Sequence, residues 1–178
     1  MITINDIEIH PIKHSDAWKV CNFIVANEDR LKPYFPKTVE QNLNPTLSGY
    51  FAEKKVKAFE NKDEFLFTLK QKESRTLVGL VYIKDVDWSL KQGEFAYCIG
   101  YPFEGKGIIQ NAIKALSAYA FETLELKTLR IIVHDSNIAS IKVATKNSFK
   151  WVKTLPNEYT PPGGKPLDME LYELYNER

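Results

Sequence analysis

The stretch TLVGLVYIKDV, Thr76 to Val86, limits the fold more than any other. It is apolar at odd and even positions alike as far as Ile83. Side chains alternate faces along a strand, so a strand of this composition has to be covered on both sides and belongs at the centre of a sheet. Two more strand-like runs flank it, EFLFTLKQ (64–71) and EFAYCIGY (94–101). KESR and WSLKQG are short enough to join the three as hairpins, so this part of the sheet is antiparallel.

The rest of the chain supplies the covering layers. TINDIEIHPI alternates apolar and polar from Ile2 to Ile9 and reads as a first strand. Ser15 or Asp16 can cap a following helix with Trp18, Cys21, Ile24 and Val25 on one face, ended by Pro33 and Pro36. A second helix fits Thr46 to Asn61. Beyond the antiparallel run the order becomes helix, strand, helix, strand. Ile109, Ala112, Ile113, Leu116, Tyr119 and Ala120 mark a helix begun at Gly107; TLRIIVH is a strand; SNIASIKVATKNS is a short helix capped by Ser136 or Asn137. FKWVKTL is a strand, PNEYTPPGGKPLD a loop, and LDMELYEL a closing strand. The expected fold is α/β of the α+β type: one domain over residues 1–178, with a mixed, mostly antiparallel sheet flanked by helices.

Charge and cysteine content narrow the function. Lys and Arg number 24 against 23 Asp and Glu, which gives no electrostatic case for nucleic acid. No apolar run is long enough to span a bilayer, and MITINDIEIHPIKHSD carries acids where a signal peptide has an apolar core. Cys21 and Cys98 lie far apart in the chain, so a disulfide framework is not expected and a reducing, cytoplasmic setting is. No His, Cys, Asp or Glu cluster has metal-ligand spacing, so no metal is expected.

In YPFEGKGIIQNAIKAL, Gly105 and Gly107 lead directly into the apolar pattern of a helix. The first turn of a helix has unpaired N–H groups and a positive partial charge. Glycine removes the Cβ that would hold an anion away and permits positive φ, so strand, Gly-rich turn and helix can make a pyrophosphate cradle. The competing reading is a plain chain reversal. A Walker A loop is excluded because Lys106 is followed by Gly107 rather than Ser or Thr, and a dinucleotide fingerprint because position 110 is Gln.

GEFAYCIGYPFEGKGIIQNAIKAL resembles the coenzyme A-binding core of the GNAT acetyltransferases, in particular the RimJ/RimL branch that acetylates protein N-termini and other amines. RIIVHDSNIASIKVATKNSF is similar to that branch's strand, Asn-x-x-Ser and helix ending in Asn-x-Phe. The resemblance covers nearly the whole chain and implies a splayed central strand pair, acetyl-CoA as cosubstrate and an amine acceptor, ribosomal and other protein N-termini included, in a monomer or homodimer. Laid on the family pattern Arg/Gln-x-x-Gly-x-Gly/Ala, Glu104 takes the Arg/Gln place, Gly107 the glycine and Ile109 the small residue. The resemblance implies that backbone N–H groups of Glu104, Gly105, Lys106, Gly107 and Ile108 hold the pyrophosphate, and that those around Cys98 and Ile99 hold the thioester and pantetheine arm.

Acetyl transfer needs a neutral amine, a stabilised carbonyl oxygen and a leaving thiolate. Glu94, opening its strand, is a candidate general base; a solvated strand-end glutamate is the competing reading. The tyrosine that many GNAT enzymes use toward the thiolate is absent, with Ala144 at the matching place. The branch offers the serine of Asn-x-x-Ser instead, here Ser140, whose plainer role is a first-turn helix residue. Asn137 caps the helix, bonds the pantetheine amides, or does both. Cys98 reads as a core residue and His134 as a satisfied strand-end histidine. Lys142 and Lys146 read as surface, and LKPYFPKT and NEYTPPGG as loops around the acceptor. A small-molecule amine such as a polyamine or aminoglycoside, and a non-catalytic acyl-CoA-binding module, are the alternative functions.

Overall fold

The computed structural model describes residues 1–176. Its strands are β1 (Ile2–Ile4), β2 (Ile7–Pro11), β3 (Phe65–Gln71), β4 (Leu77–Asp87), β5 (Gln92–Ile99), β6 (Thr128–Val133), β7 (Lys150–Tyr159) and β8 (Leu167–Tyr175). They hydrogen-bond in the order β1-β2-β3-β4-β5-β6-β8-β7. The β5–β6 pair is parallel, whereas β1–β2, β2–β3, β6–β8 and β7–β8 are antiparallel. The short links from β3 to β4 and from β4 to β5 permit only antiparallel neighbours. β4 is interior to the sheet and buried from Leu77 through Ile83, as its two-sided apolar composition requires. The helices are α1 (Ala17–Ala26), α2 (Glu28–Leu31), α3 (Pro36–Glu40), α4 (Pro45–Glu60), α5 (Ile108–Glu122) and α6 (Ile138–Lys146). The chain is thus an α/β fold on a mixed, mostly antiparallel sheet flanked by helices.

Packing divides it into two compact units. One is Met1–Tyr82 with Tyr97–Ile108; the other is Ile83–Ala96 with the residues from Ile109 onward.

In the first unit, the expected opening strand is a hairpin. Asn5, at φ 54°, turns the chain with Asp6, and Ile4 pairs with Ile7. Asn tolerates the left-handed region that a two-residue hairpin needs. The buried face of α1 matches the expected one in part. Cys21 and Ile24 are buried as expected, but Trp18 is 64% exposed and Val25 49%, and Val20 and Phe23 are buried in their place. The inward stripe runs Asp16, Val20, Phe23/Ile24, Asn27, Leu31, which is helical spacing with polar residues included. Asp16 stands at the N-cap of α1 but makes no side-chain capping bond there; its carboxylate accepts from the Lys13 N–H and the Lys70 ammonium. Pro36 does not end a helix but begins α3, at a first-turn position where its missing N–H costs nothing. The second expected helix is α4, opened by Asn44, whose side chain accepts from the Leu47 N–H.

In the second unit, α5 buries Ile109, Ala112, Ile113, Leu116 and Ala120, as its periodicity predicts. Full burial of a side chain such as Ile113 or Leu116 is worth about 1.5–3 kcal/mol. Asn147, at the end of α6, donates to the carbonyls of Gln110 and Val143 and so fastens α6 to the first turn of α5. Phe149 packs edge-on against Phe95 of β5. β7 extends to Tyr159, past the expected end at Leu155. Pro156 is tolerated because β7 is an edge strand whose register with β8 is irregular between Leu155 and Tyr159.

Candidate active site

In the first unit, a 3₁₀ turn at Tyr101–Phe103 leads through Glu104–Gly107 into α5. Gly105 has φ +71° and Gly107 φ +73°, and a Cβ on either would meet no atom within 4 Å. Both glycines therefore serve the backbone: they allow a left-handed turn and leave open space in front of it. Gly107 is followed directly by Ile108, whose N–H opens α5 and has no intrahelical carbonyl to bond. A diphosphate fits this arrangement, since donors are present and no side chain walls them off. Lys106 lies with its ammonium over the Phe103 ring, 5.3 Å from the centroid.

Glu104 is not a lone carboxylate. Arg30 of α2 pairs with it, donates to Asn27 Oδ1 at 3.0 Å, and lies over the Tyr101 ring at 5.4 Å. Asn27 Oδ1 also accepts from the Tyr101 N–H at 3.2 Å. None of these links was visible in the sequence, where Arg30 and Glu104 are 74 residues apart.

Farther back on the strand, Cys98 is a buried free thiol, and burial pushes its pKa up to about 12. It is a core residue. Ile99 is half-buried. Along β5 the alternation of buried and half-buried residues slips by one between Ala96 and Tyr97. The β5–β6 register runs from Gln92↔Thr128 to Phe95↔Ile131, while β5 continues to Ile99 and β6 to Val133.

Glu94 lies in the second unit, and its side chain is 15% exposed, so it is not a solvated strand-end glutamate. Lys84 of β4 pairs with it at 2.6 Å and with Asp85 at 2.6 Å. Arg130 stands beside it in the β5–β6 register, and Glu173 beside Arg130 in β6–β8. Charges thus alternate across neighbouring strands as Lys84, Glu94, Arg130, Glu173. Burial works against the Lys84 charge, but the Glu94 and Asp85 carboxylates outweigh it and hold the ammonium above the ordinary lysine range. The hairpin linking β4 to β5 is the sequence signal that could have revealed Lys84.

Asn137 is the N-cap of α6, and its Oδ1 accepts from the Ser140 N–H at 3.1 Å. Ser140 is half-buried in the first turn. Ala144 is fully buried, so a tyrosine there would displace packed neighbours. His134 Nδ1 is held by the Ser136 hydroxyl at 2.7 Å, which fits the reading of a satisfied strand-end histidine. Lys142 and Lys146 are exposed. Among the described residues, no group of three or more His, Cys, Asp or Glu could hold a metal ion, and no helix is long and apolar enough to cross a membrane.

Residues 6–150 match the family described as an acetyltransferase (GNAT) domain. The chain belongs to the GNAT acetyltransferases. It is an acetyltransferase, as the resemblance implied. A curated relative, the putative ribosomal N-acetyltransferase YdaF of Bacillus subtilis (strain 168), is 27% identical over 147 residues, which are 80% of this chain and 77% of the relative. A solved ribosomal-protein-S5-alanine acetyltransferase from Vibrio fischeri superposes with a TM-score of 0.92 at 20% identity, over 99% of this chain and 96% of that one. RimL, a ribosomal L7/L12 α-N-protein acetyltransferase solved with coenzyme A, gives 0.88 at 15% identity, over 98% and 96%. GNAT acetyltransferases use acetyl-CoA, and the structural relative MccE is solved with it.

The open turn makes one substitution decisive. Gly107→Val puts a branched side chain at φ +73° and into the open space. The left-handed backbone costs about 1–2 kcal/mol for an L-residue, a tolerable loss of stability. Acetyl-CoA affinity should fall by about tenfold or more, measured by calorimetric titration of a variant whose fold is checked by circular dichroism. Unchanged affinity in the folded variant would show that the turn holds no phosphate.

Proposed function

We propose that this chain, as one acetyltransferase domain over residues 1–178, moves an acetyl group from acetyl-CoA to a protein N-terminal α-amine in the cytoplasm. The observation that carries the reading is the relative named as a putative ribosomal N-acetyltransferase, which matches across 80% of the chain. Similarity to the S5-alanine acetyltransferase and to RimL supports it. In this reading the backbone of Glu104 to Ile108 holds the pyrophosphate, and N–H groups at Cys98 and Ile99 hold the thioester oxygen and pantetheine arm. Asn137 orients the start of α6. Glu94 accepts the proton that the amine loses as its nitrogen bonds the acetyl carbon, directly or through water. The carbon–sulfur bond breaks, and the Ser140 hydroxyl hydrogen-bonds the departing thiolate, which takes up a proton as free thiol.

A polyamine acceptor is the second reading, because spermidine N-acetyltransferases from Vibrio cholerae also superpose, with TM-scores of 0.76 and 0.75. A polycation calls for unpaired acids. Glu94 and Glu104 are each paired with a cation, which favours the α-amine. The test is a free-thiol release assay with acetyl-CoA. The acceptors are a peptide with a free α-amine, the same peptide blocked at its N-terminus but carrying lysine, and spermidine. Turnover on the first alone supports the proposal, turnover on spermidine alone replaces it, and binding without turnover on any acceptor leaves a non-catalytic module.

Ser140→Ala separates two roles of that residue. Losing one donor to a developing thiolate raises the barrier by about 1–3 kcal/mol. kcat should therefore drop while acetyl-CoA affinity holds, since the thioester sulfur is neutral before attack. A lower melting temperature with normal kcat would make Ser140 a helix residue only.

A further inference from the structure

The family pattern has Arg or Gln where this chain has Glu104, and a carboxylate beside a diphosphate repels it. We propose that Arg30 is the positioning residue that makes the glutamate compatible with the cofactor: it cancels the Glu104 charge at the turn and holds the carboxylate in place. The inference rests on the phosphate-binding reading of the Gly105–Gly107 turn.

The geometry fixes Arg30 rather than leaving it as a chance surface partner. Its guanidinium has three partners: the Glu104 carboxylate, Asn27 Oδ1 and the face of the Tyr101 ring. Asn27 is 8% exposed and is itself held by donating to the Phe23 carbonyl at 2.8 Å. Its Oδ1 also takes the Tyr101 N–H, so one buried amide joins the end of α1, the Arg30 side chain and the turn. A guanidinium offers its N–H groups as a rigid planar fork, suited to several fixed partners at once. An exposed ion pair contributes little to stability, and with side-chain exposures of 37% and 46% this one has little structural reason to be built so elaborately. Its effect is on the field at the turn, where an uncompensated glutamate would act on a doubly charged group at short range.

Coenzyme A titrations on wild type, Arg30→Gln, Arg30→Lys, Glu104→Gln and the double variant Arg30→Gln/Glu104→Gln decide it. Arg30→Gln should weaken binding about five- to tenfold at low salt. Arg30→Lys should keep most of the affinity, because it keeps the charge. Glu104→Gln should bind at least as tightly as wild type. The double variant should return to within about twofold of wild type, a result that a merely structural role for Arg30 would not give. An Arg30→Gln affinity within twofold of wild type overturns the proposal, and so does a double variant as weak as Arg30→Gln. A wild-type protein that binds no coenzyme A overturns the cradle reading itself, and the proposal with it. Melting temperatures on the same samples exclude unfolding as the cause of weak binding.

Discussion

Lys70→Met should destabilise the protein by about 3–5 kcal/mol, read as a lower midpoint in urea denaturation. Lys70 and Asp16 form an ion pair at 2.5 Å with side-chain exposures of 4% and 3%. Methionine fills much of the lysine's volume, so the loss comes from the carboxylate left without a counter-charge in a site water does not reach. The remaining hydrogen bond, from the Lys13 N–H at 3.0 Å, cannot replace a full charge. Removing both charges, in Lys70→Met/Asp16→Asn, should recover part of the loss, because replacing a whole buried pair costs less than orphaning one member. A single-variant loss below about 1 kcal/mol would mean that the carboxylate finds solvent when its partner is removed. The pair also reaches the candidate site. Asp16 and Asn27 lie on the same inward stripe, so the rotation that buries Asp16 also turns Asn27 toward Arg30 and Tyr101.

That stripe explains what the sequence conceals. An apolar periodicity locates the existence of α1 but misjudges part of its face, because the inward residues flanking it are Asp16 and Asn27 and an outward one is Trp18. Polar residues enter a core when partners wait there, and those partners, Lys70 and Tyr101, are remote in sequence. The central strand and α5 were legible because burial alone shapes them. The extension of β7 from Leu155 to Tyr159 was not, since an exposed edge strand carrying Pro156 has no hydrophobic alternation to betray it. At the site, the glycines were legible because the pair directly precedes a helical apolar pattern, and the structure holds them at φ +71° and +73°. The partners of the two candidate acids were not equally hidden. Lys84 lies one short hairpin away from Glu94, whereas Arg30 meets Glu104 only through the tertiary fold.

Glu94→Gln tests the proposed proton acceptor. If Glu94 takes the proton from the acceptor, kcat/KM should fall about a hundredfold near pH 6, the lower end of the usual range for a general base. An α-amine has a pKa of about 7.7–8.0, so at pH 6 it is mostly protonated and depends on the base, while near pH 9 it is mostly neutral and does not. The loss should shrink to a few-fold at pH 9. Lys84 does not blur this window. The Glu94 and Asp85 carboxylates overcome its burial and hold its pKa above the ordinary lysine value, so whatever stability its pairing contributes is fully present below that value. That contribution is lost only as pH rises through the raised value, above the range of the assay. Lys84→Met is the control, because it breaks the same ion pair at 2.6 Å and keeps the carboxylate. A base role predicts a pH-dependent loss in Glu94→Gln and a different profile in Lys84→Met. Parallel profiles for wild type and Glu94→Gln, with a shared drop in melting temperature for the two variants, would reduce Glu94 to one member of the charge row Lys84, Glu94, Arg130, Glu173 and leave the amine to deprotonate into water.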